Sequence, residues 1–388
     1  MNRALVVSPL LPYPPTSGGQ KRTLRLLEAM ARAELTPQVL TADEPDPAHV
    51  AALRARGWEV EVLAFAPGLR DRVAQHVARR PSPYLRPVAE LLQRTAAMPA
   101  ALVQLEHTMS AYYHGLRPGT PTILSLHNLD SELIATGARA RRAGSLQWAR
   151  EHSRALSTAH QERRAFAAAD LVLCVSEHDA TAVEALGGRA LLVPNGVDAD
   201  FFEIPHGPAP GELATFFGHF GYRPNREGLL RFLRHGWPRV LAARPQARLA
   251  LAGPGIRAPL RAELERSERV DVHGFVDDLP ALLAATTAVV VPLWEGGGTR
   301  LKVIETMAAA TPVVGTPLGV ERIGFEAGRH GLEATAPESL ADALCTLLAD
   351  PQRAAALGEA ARAHAQRFRW ERVTRPLEVR YREYAARA

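Results

Sequence analysis

A chain of 388 residues is long enough for two domains with a core in each. Apolar residues make up 47% of it, which excludes a disordered chain; 46 basic against 41 acidic residues leave a surplus of +5, which suits an anionic ligand or a membrane surface but is too small and too dispersed for nucleic acid. Two unclustered cysteines, Cys174 and Cys345, exclude a disulfide framework and a zinc centre.

The amino-terminal stretch MNRALVVSPLLPYPP has an apolar run broken at Pro9, too short for a signal peptide, and no run in the chain reaches the length of a membrane span. The expected location is the cytoplasm, with attachment to a membrane surface left open. From there short β-branched runs alternate with stretches of helical period. Strands are expected at Ala4–Ser8, Gln38–Thr41, Val60–Ala64, Leu102–Glu106, Thr122–His127, Leu171–Ser176 and Leu191–Pro194. A second series is expected at Thr215–Gly218, Arg248–Gly253, Val270–Gly274, Ala288–Pro292 and Val313–Gly315. Helical period is plain in Gln20–Arg32, Glu227–Ala242 and Leu301–Ala309. Alternation of this kind predicts parallel sheets covered on both faces, and twelve strands are too many for one sheet.

The break falls in VPNGVDADFFEIPHGPAPGE, rich in Pro, Gly and acids and without period. The expected organisation is therefore α/β with two Rossmann-like domains, residues 1–194 and 195–358. A charged helical segment, 359–388, would follow, with Trp370, Tyr381 and Tyr384 able to anchor it on the first domain. Parallel sheets bind ligands beyond the carboxyl ends of their strands. Several of those ends carry polar groups: SGGQKR after the first strand, EH at Glu106, HNLDSE, SEHD, GHFGYRPNRE and PLWEGGGTRLK. If the domains face each other, these loops line one cleft. The arginines at 139, 141, 142, 150 and 154 read as the solvated face of a helix.

The densest of these loops is Gly296-Gly297-Gly298-Thr299-Arg300-Leu301-Lys302. Glycines between a strand and a helix let backbone amides approach an anion, the helix start adds partial positive charge, and Arg300 and Lys302 add full charges. No GK[ST] follows, so this is not a Walker A loop. Glu305, just inside the helix, can accept from ribose hydroxyls, and phosphate plus ribose means a nucleotide.

GGGTRLKVIETMAAATPVVGTPLGVE resembles the donor-site signature of glycosyltransferase family 4, retaining enzymes of the GT-B fold. GGQKRTLRLLEAMA, TILSLHNLDS, LVLCVSEHD, VPNGVD, FFGHFGYRPNREGLL, ALAGPG and VHGFVDDLP resemble further landmarks of that family in the same order, over nearly the whole chain. The resemblance implies two facing Rossmann-like domains, a nucleotide-sugar donor and no metal or other cofactor. It implies that Gly18 and Gly19 offer backbone amides, that His127 touches the transferred sugar, and that Arg223 stands at a phosphate-binding position. Gly298 and Thr299 would offer amides to the diphosphate, Glu305 would bind the ribose, and Phe275 and Val276 would flank the base; His219, Glu295, Gly297 and Arg300 are further donor-side candidates. Glu106, His107 and Asn128 are candidates for the acceptor side; Glu106 and His107 read equally well as polar strand caps. His127, Arg223 and Lys302 form the expected catalytic set.

The sequence departs from the family at two places. His219 stands where the family usually has Arg. The family also pairs two glutamates eight residues apart, and eight before Glu305 is Gly297, with Glu295 two residues further back. The sugar, the base and the acceptor (polysaccharide, lipid or small natural product) stay open. A rival reading is an NAD-dependent oxidoreductase, because GPGIRA fits G-x-G-x-x-A and Asp271 follows at a plausible distance. A GT-B epimerase and a non-catalytic nucleotide-sugar binder would fit the same motifs.

Overall fold

The computed structural model describes residues 2–41, 46–63, 93, 99–108, 119–139, 143–205, 207–209, 211–297 and 300–387. Ala64, Arg141, Arg142, Gly298 and Thr299, all named above, lie outside the described residues. The chain divides into two compact units, Met1–Asn195 with Val373–Ala388, and Gly196–Arg372.

The first unit holds a seven-stranded sheet. Its strands are β1 (Asn2–Ser8), β2 (Leu35–Thr41), β3 (Glu59–Val62), β4 (Leu102–Glu106), β5 (Thr122–Ser125), β6 (Leu171–Cys174) and β7 (Ala190–Leu192). They are all parallel, in the order β3-β2-β1-β4-β5-β6-β7. The second unit holds six parallel strands: β8 (Leu213–Phe217), β9 (Arg248–Ala252), β10 (Val270–Gly274), β11 (Ala288–Val291), β12 (Val313–Gly315) and β13 (Gly331–Glu333), ordered β10-β9-β8-β11-β12-β13. In both sheets the order reverses beside the first strand, between β1 and β4 and between β8 and β11. Such reversals open a crevice at the carboxyl ends of the two strands.

The central strands are buried on both faces, which is why they read as unbroken apolar runs: all four residues of β11, Ala288 to Val291, are fully buried. β13 stands outside the twelve expected strands. It is a three-residue edge, GLE, whose Gly331 lies so close to Val313 that a Cβ would come within 2.1 Å of the Val313 carbonyl oxygen.

The carboxyl-terminal segment is shared between the units. Trp370 belongs to the second, where a Cβ on Gly196 would meet its ring at 2.4 Å. Tyr381 and Tyr384, on the helix Arg375–Arg387, pack into the core of the first. Among the described residues no helix is long and apolar enough to cross a membrane.

Candidate active site

In the first unit the polar groups gather at the β1/β4 reversal and the adjoining end of β5. The helix Gly18–Arg32 starts there, capped by Ser17, whose side chain accepts from the Gln20 amide. β4 delivers Glu106 and His107, and β5 runs on into His127. Glu106 is fully buried, and its Oε2 accepts from His127 Nε2 at 2.8 Å and from Thr23 Oγ1 at 3.2 Å. Gln104 Nε2 donates to Glu106 Oε1 at 2.5 Å, and Tyr381 Oη donates to Gln104 Oε1 at 2.6 Å. A continuous buried relay thus runs from the last helix through Gln104 and Glu106 to His127. Burial pushes the Glu106 carboxyl up, but the bond and charge of His127 outweigh it and leave the group below its ordinary value. Glu106 accepts from Nε2–H of His127, and Nδ1 is the ring nitrogen turned away from the carboxylate. That atom faces the helix start: a Cβ on Gly19 would come within 3.2 Å of it, so this position needs a bare backbone.

His107 stacks on His127, centroids 3.7 Å apart and 23° between planes, with its backbone in the left-handed region at φ 65°. Burial, with the adjacent His127, lowers His107 to about 3. Gly18 is exposed and Asn128 is half-buried. Arg22, 1% exposed, donates from one terminal nitrogen to the Val193 carbonyl at 2.7 Å and to Asn195 Oδ1 at 3.3 Å, fastening the same helix to the end of the unit.

In the second unit the site lies at the β8/β11 reversal. β8 ends in Gly218-His219, and the helix Arg223–His235 follows; β11 leads through Pro292–Gly297 to the helix Leu301–Ala308. The loop is tightly placed, since a Cβ on Gly296 (φ 108°) would come within 2.9 Å of Tyr222 Oη. The three expected cations have different surroundings. Lys302 Nζ donates to Asn225 Oδ1 at 2.7 Å, lies 4.6 Å from the centroid of the Phe216 ring, and pairs with no carboxylate among the described residues. Burial, reinforced by Arg300, lowers Lys302 to about 7. Arg223, half-exposed, donates to Glu295 Oε2 at 2.9 Å, while Glu295 Oε1 is buried without a hydrogen-bond partner among the described residues.

Arg300, 5% exposed, is engaged by its own loop. It donates to the carbonyls of Leu318, Gly297 and Gly296 at 3.0, 2.9 and 3.3 Å and lies 3.4 Å from Glu321. All three guanidinium nitrogens thus brace the glycine loop and its surroundings. His219 Nδ1 accepts from the Gly221 amide at 3.0 Å, which leaves Nε2–H as the ring's outward donor. Glu305 is 6% exposed, one turn into its helix. Phe275, just after β10, is 59% exposed, and Val276 beside it packs on the core. Sequence patterns alone do not mark Asn225, Tyr222, Gln104 and Tyr381 as site residues; only the ordered RPN context hints at one of them. Among the described residues no cluster of three His, Cys, Asp or Glu has the arrangement to hold a metal ion.

The GPGIRA segment follows β9, one strand outside the β8/β11 reversal, and packs against the end of β8. Its glycines are explained by packing: a Cβ on Gly253 would come within 2.0 Å of the Gly218 carbonyl oxygen, and one on Gly255 within 2.7 Å of the Gly221 amide nitrogen. Asp271 lies at the amino-terminal end of β10 and pairs with Arg248 at 2.8 Å. A ribose-binding acid must sit at the carboxyl end, so the dinucleotide fingerprint lacks its structural context.

Two family profiles match in sequence. Residues 48–201 match "Glycosyltransferase Family 4", and residues 211–350 match "Glycosyl transferases group 1". The chain belongs to this glycosyltransferase family. Among curated relatives, the D-inositol 3-phosphate glycosyltransferase of Segniliparus rotundus is 29% identical over 215 residues, 49% of this chain and 46% of that one. The phosphatidyl-myo-inositol mannosyltransferase of Mycobacterium tuberculosis is 30% identical over 207 residues, 49% of this chain and 53% of that one. The chain thus spans about half the length of these relatives. In structure it is similar to the sucrose-phosphate synthase of Thermosynechococcus elongatus, with a TM-score of 0.76 and 22% identity over all of both chains. It is also similar to Anabaena HepE in complex with UDP and glucose, with a TM-score of 0.66 and 19% identity over 97% of this chain and 98% of that one. The fold of this family member is GT-B, with a Rossmann-like sheet in each unit.

Proposed function

We propose that this family member is a glycosyltransferase that moves a sugar from a nucleotide-sugar donor to an acceptor with retention of anomeric configuration, without a metal. The second unit binds the donor. Lys302 meets the leaving diphosphate together with the amides of the glycine loop, Arg300 holds that loop in shape, and Arg223 adds charge from the loop after β8. Glu305 takes the ribose, and Phe275 and Val276 flank the base. As the glycosidic bond breaks, negative charge grows on the diphosphate. Fixed cations and amides stabilise such charge because they are oriented before the reaction begins. His127 of the first unit, held by Glu106, contacts the transferred sugar, and the leaving phosphate accepts the acceptor's proton. Glu106, His107 and Asn128 belong to the acceptor side.

The observation that carries this reading is Lys302, a buried ammonium at the β8/β11 reversal whose hydrogen-bond partner is a neutral amide. A desolvated cation of this kind gains most from an arriving anion. HepE is described in complex with UDP, so UDP is the first probe, with GDP and ADP beside it. A thermal-shift panel should show a nucleoside diphosphate raising the melting temperature while NAD and NADP do not. Lys302→Ala should abolish the shift and Asp271→Ala should leave it intact. Tight NAD binding that is lost on Asp271→Ala and indifferent to Lys302→Ala would overturn the reading. Turnover of the bound nucleotide sugar separates a transferase from an epimerase or a silent binder; inositol phosphate, phosphatidylinositol, polysaccharides and small glycosides form the acceptor screen.

A further inference from the structure

We infer that Asn225 is a positioning residue that holds the Lys302 ammonium at the donor diphosphate by a bond that leaves its charge unquenched. The inference rests on the transferase reading and deepens it. Asn225 is 5% exposed, in the first turn of the helix Arg223–His235. Its amide is used at both ends: Oδ1 accepts from Lys302 Nζ at 2.7 Å and Nδ2 donates to the His219 carbonyl at 3.0 Å. These two partners fix the amide's orientation. Flipped, it would set its NH2 against an ammonium and its oxygen against a carbonyl. Asn225 therefore ties the end of β8 to the helix after the glycine loop, across the strand reversal.

The choice of side chain matters chemically. A carboxylate at position 225 would hold Nζ as firmly, but it would pair with the ammonium and cancel the field that an incoming phosphate senses. An amide carbonyl takes one N–H and leaves a full charge with two donors over. Space around Nζ is limited on the other sides: Phe216 covers it, and a Cβ on Gly218 would come within 2.9 Å of it. The ammonium is aimed by its surroundings and cannot be re-aimed cheaply by its own stem. Its lowered affinity for protons, to about 7, follows first from burial and then from the nearby Arg300 charge, with Glu305 pulling the other way. When a diphosphate arrives, Lys302 must become fully protonated, so binding above neutral pH takes up a proton.

Asn225→Asp tests this with little change of shape. Titration calorimetry of the full chain with UDP, GDP and ADP at pH 8, in two buffers of different ionisation enthalpy, reads affinity and proton uptake together. Wild-type protein should bind one of the three with net proton uptake. Asn225→Asp should bind it at least about tenfold more weakly and without uptake, because Lys302 is already charged and paired. Its ligand-free melting temperature should equal or exceed that of the wild type. Asn225→Ala should lose affinity by a smaller factor and keep the uptake. A merely structural asparagine predicts a different pattern, with affinity and melting temperature falling together. Affinities within twofold of wild type in both variants, or unchanged uptake in Asn225→Asp, overturn the inference while leaving the transferase reading standing. Failure of the wild type to bind UDP, GDP or ADP overturns both.

Discussion

Glu106 and His127 form a buried hydrogen-bonded pair at the carboxyl ends of β4 and β5. The carboxylate fixes which ring nitrogen carries the proton, and removing the charge while keeping the shape exposes how much that matters. Glu106→Gln should lower turnover by about 10- to 100-fold, the equivalent of a charge-assisted hydrogen bond of about 1.5–3 kcal/mol. Affinity for the free nucleoside diphosphate should stay within twofold. Steady-state kinetics beside calorimetry checks the split; a collapse of diphosphate binding would move Glu106 out of the sugar's role. His107 makes a separate claim about pH. Its folded value of about 3 lies below the ordinary 6.5, so the unfolded chain takes up a proton that the native ring refuses. His107 therefore costs stability progressively as pH falls from about 6.5 toward 3. Glu162 acts in the opposite sense. Burial raises it to about 7, despite its bonds to Ser131, so the native state binds the extra proton between about 4.5 and 7 and gains stability on acidification. His107→Gln should make the melting temperature hold or rise between pH 7 and 5, and Glu162→Gln should make it fall more steeply than in the wild type. Melting curves across that range decide both signs.

At the scale of elements, the helix Arg375–Arg387 reaches the site from the far end of the chain. Tyr381 is fully buried, and its hydroxyl orients Gln104, which in turn holds Glu106. Tyr381→Phe keeps the packing and leaves Gln104 Oε1 buried without a donor, a cost of about 1–3 kcal/mol. The expected result is a lower melting temperature together with a fall in turnover larger than any change in diphosphate affinity; unchanged turnover would confine Tyr381 to packing. Most strands were legible because a strand buried on both faces must be an apolar run, as in AVVV and LVLC. β13 was not, because three residues at an edge carry no period and its Gly331 answers to the Val313 backbone. Within the site, the glycine loop was legible as a loop, but the sequence could not divide labour among its cations. Arg300 and Lys302 stand two residues apart, yet one turns back onto its own carbonyls and the other faces Asn225, a partner 77 residues away in sequence. Only the folded backbone decides which cation is free to meet a ligand.

At the scale of the molecule, one strand order appears in both units, with the chemically loaded loops at both reversals. That repetition bears on the competition between two glycine clusters that the sequence left open: Gly253 and Gly255 sit beside the crevice and support its floor. The units part at 195/196, inside the stretch rich in Pro, Gly and acids. The division of the carboxyl-terminal segment at 372/373 was not legible, because nothing in its helical pattern marks where the chain changes core. The second unit enters and leaves through neighbouring stretches: Val197 pairs in parallel with Arg369, and the Val197 amide donates to the Phe368 carbonyl at 2.7 Å. It is an insert with its two ends already clamped together. An insert of this kind can be lifted out without leaving loose ends. Residues 196–372 expressed alone should therefore fold cooperatively and retain diphosphate binding in calorimetry, whereas residues 1–195 alone would lack Leu377 and Tyr381 from their core and should fail to fold until 373–388 is fused back on.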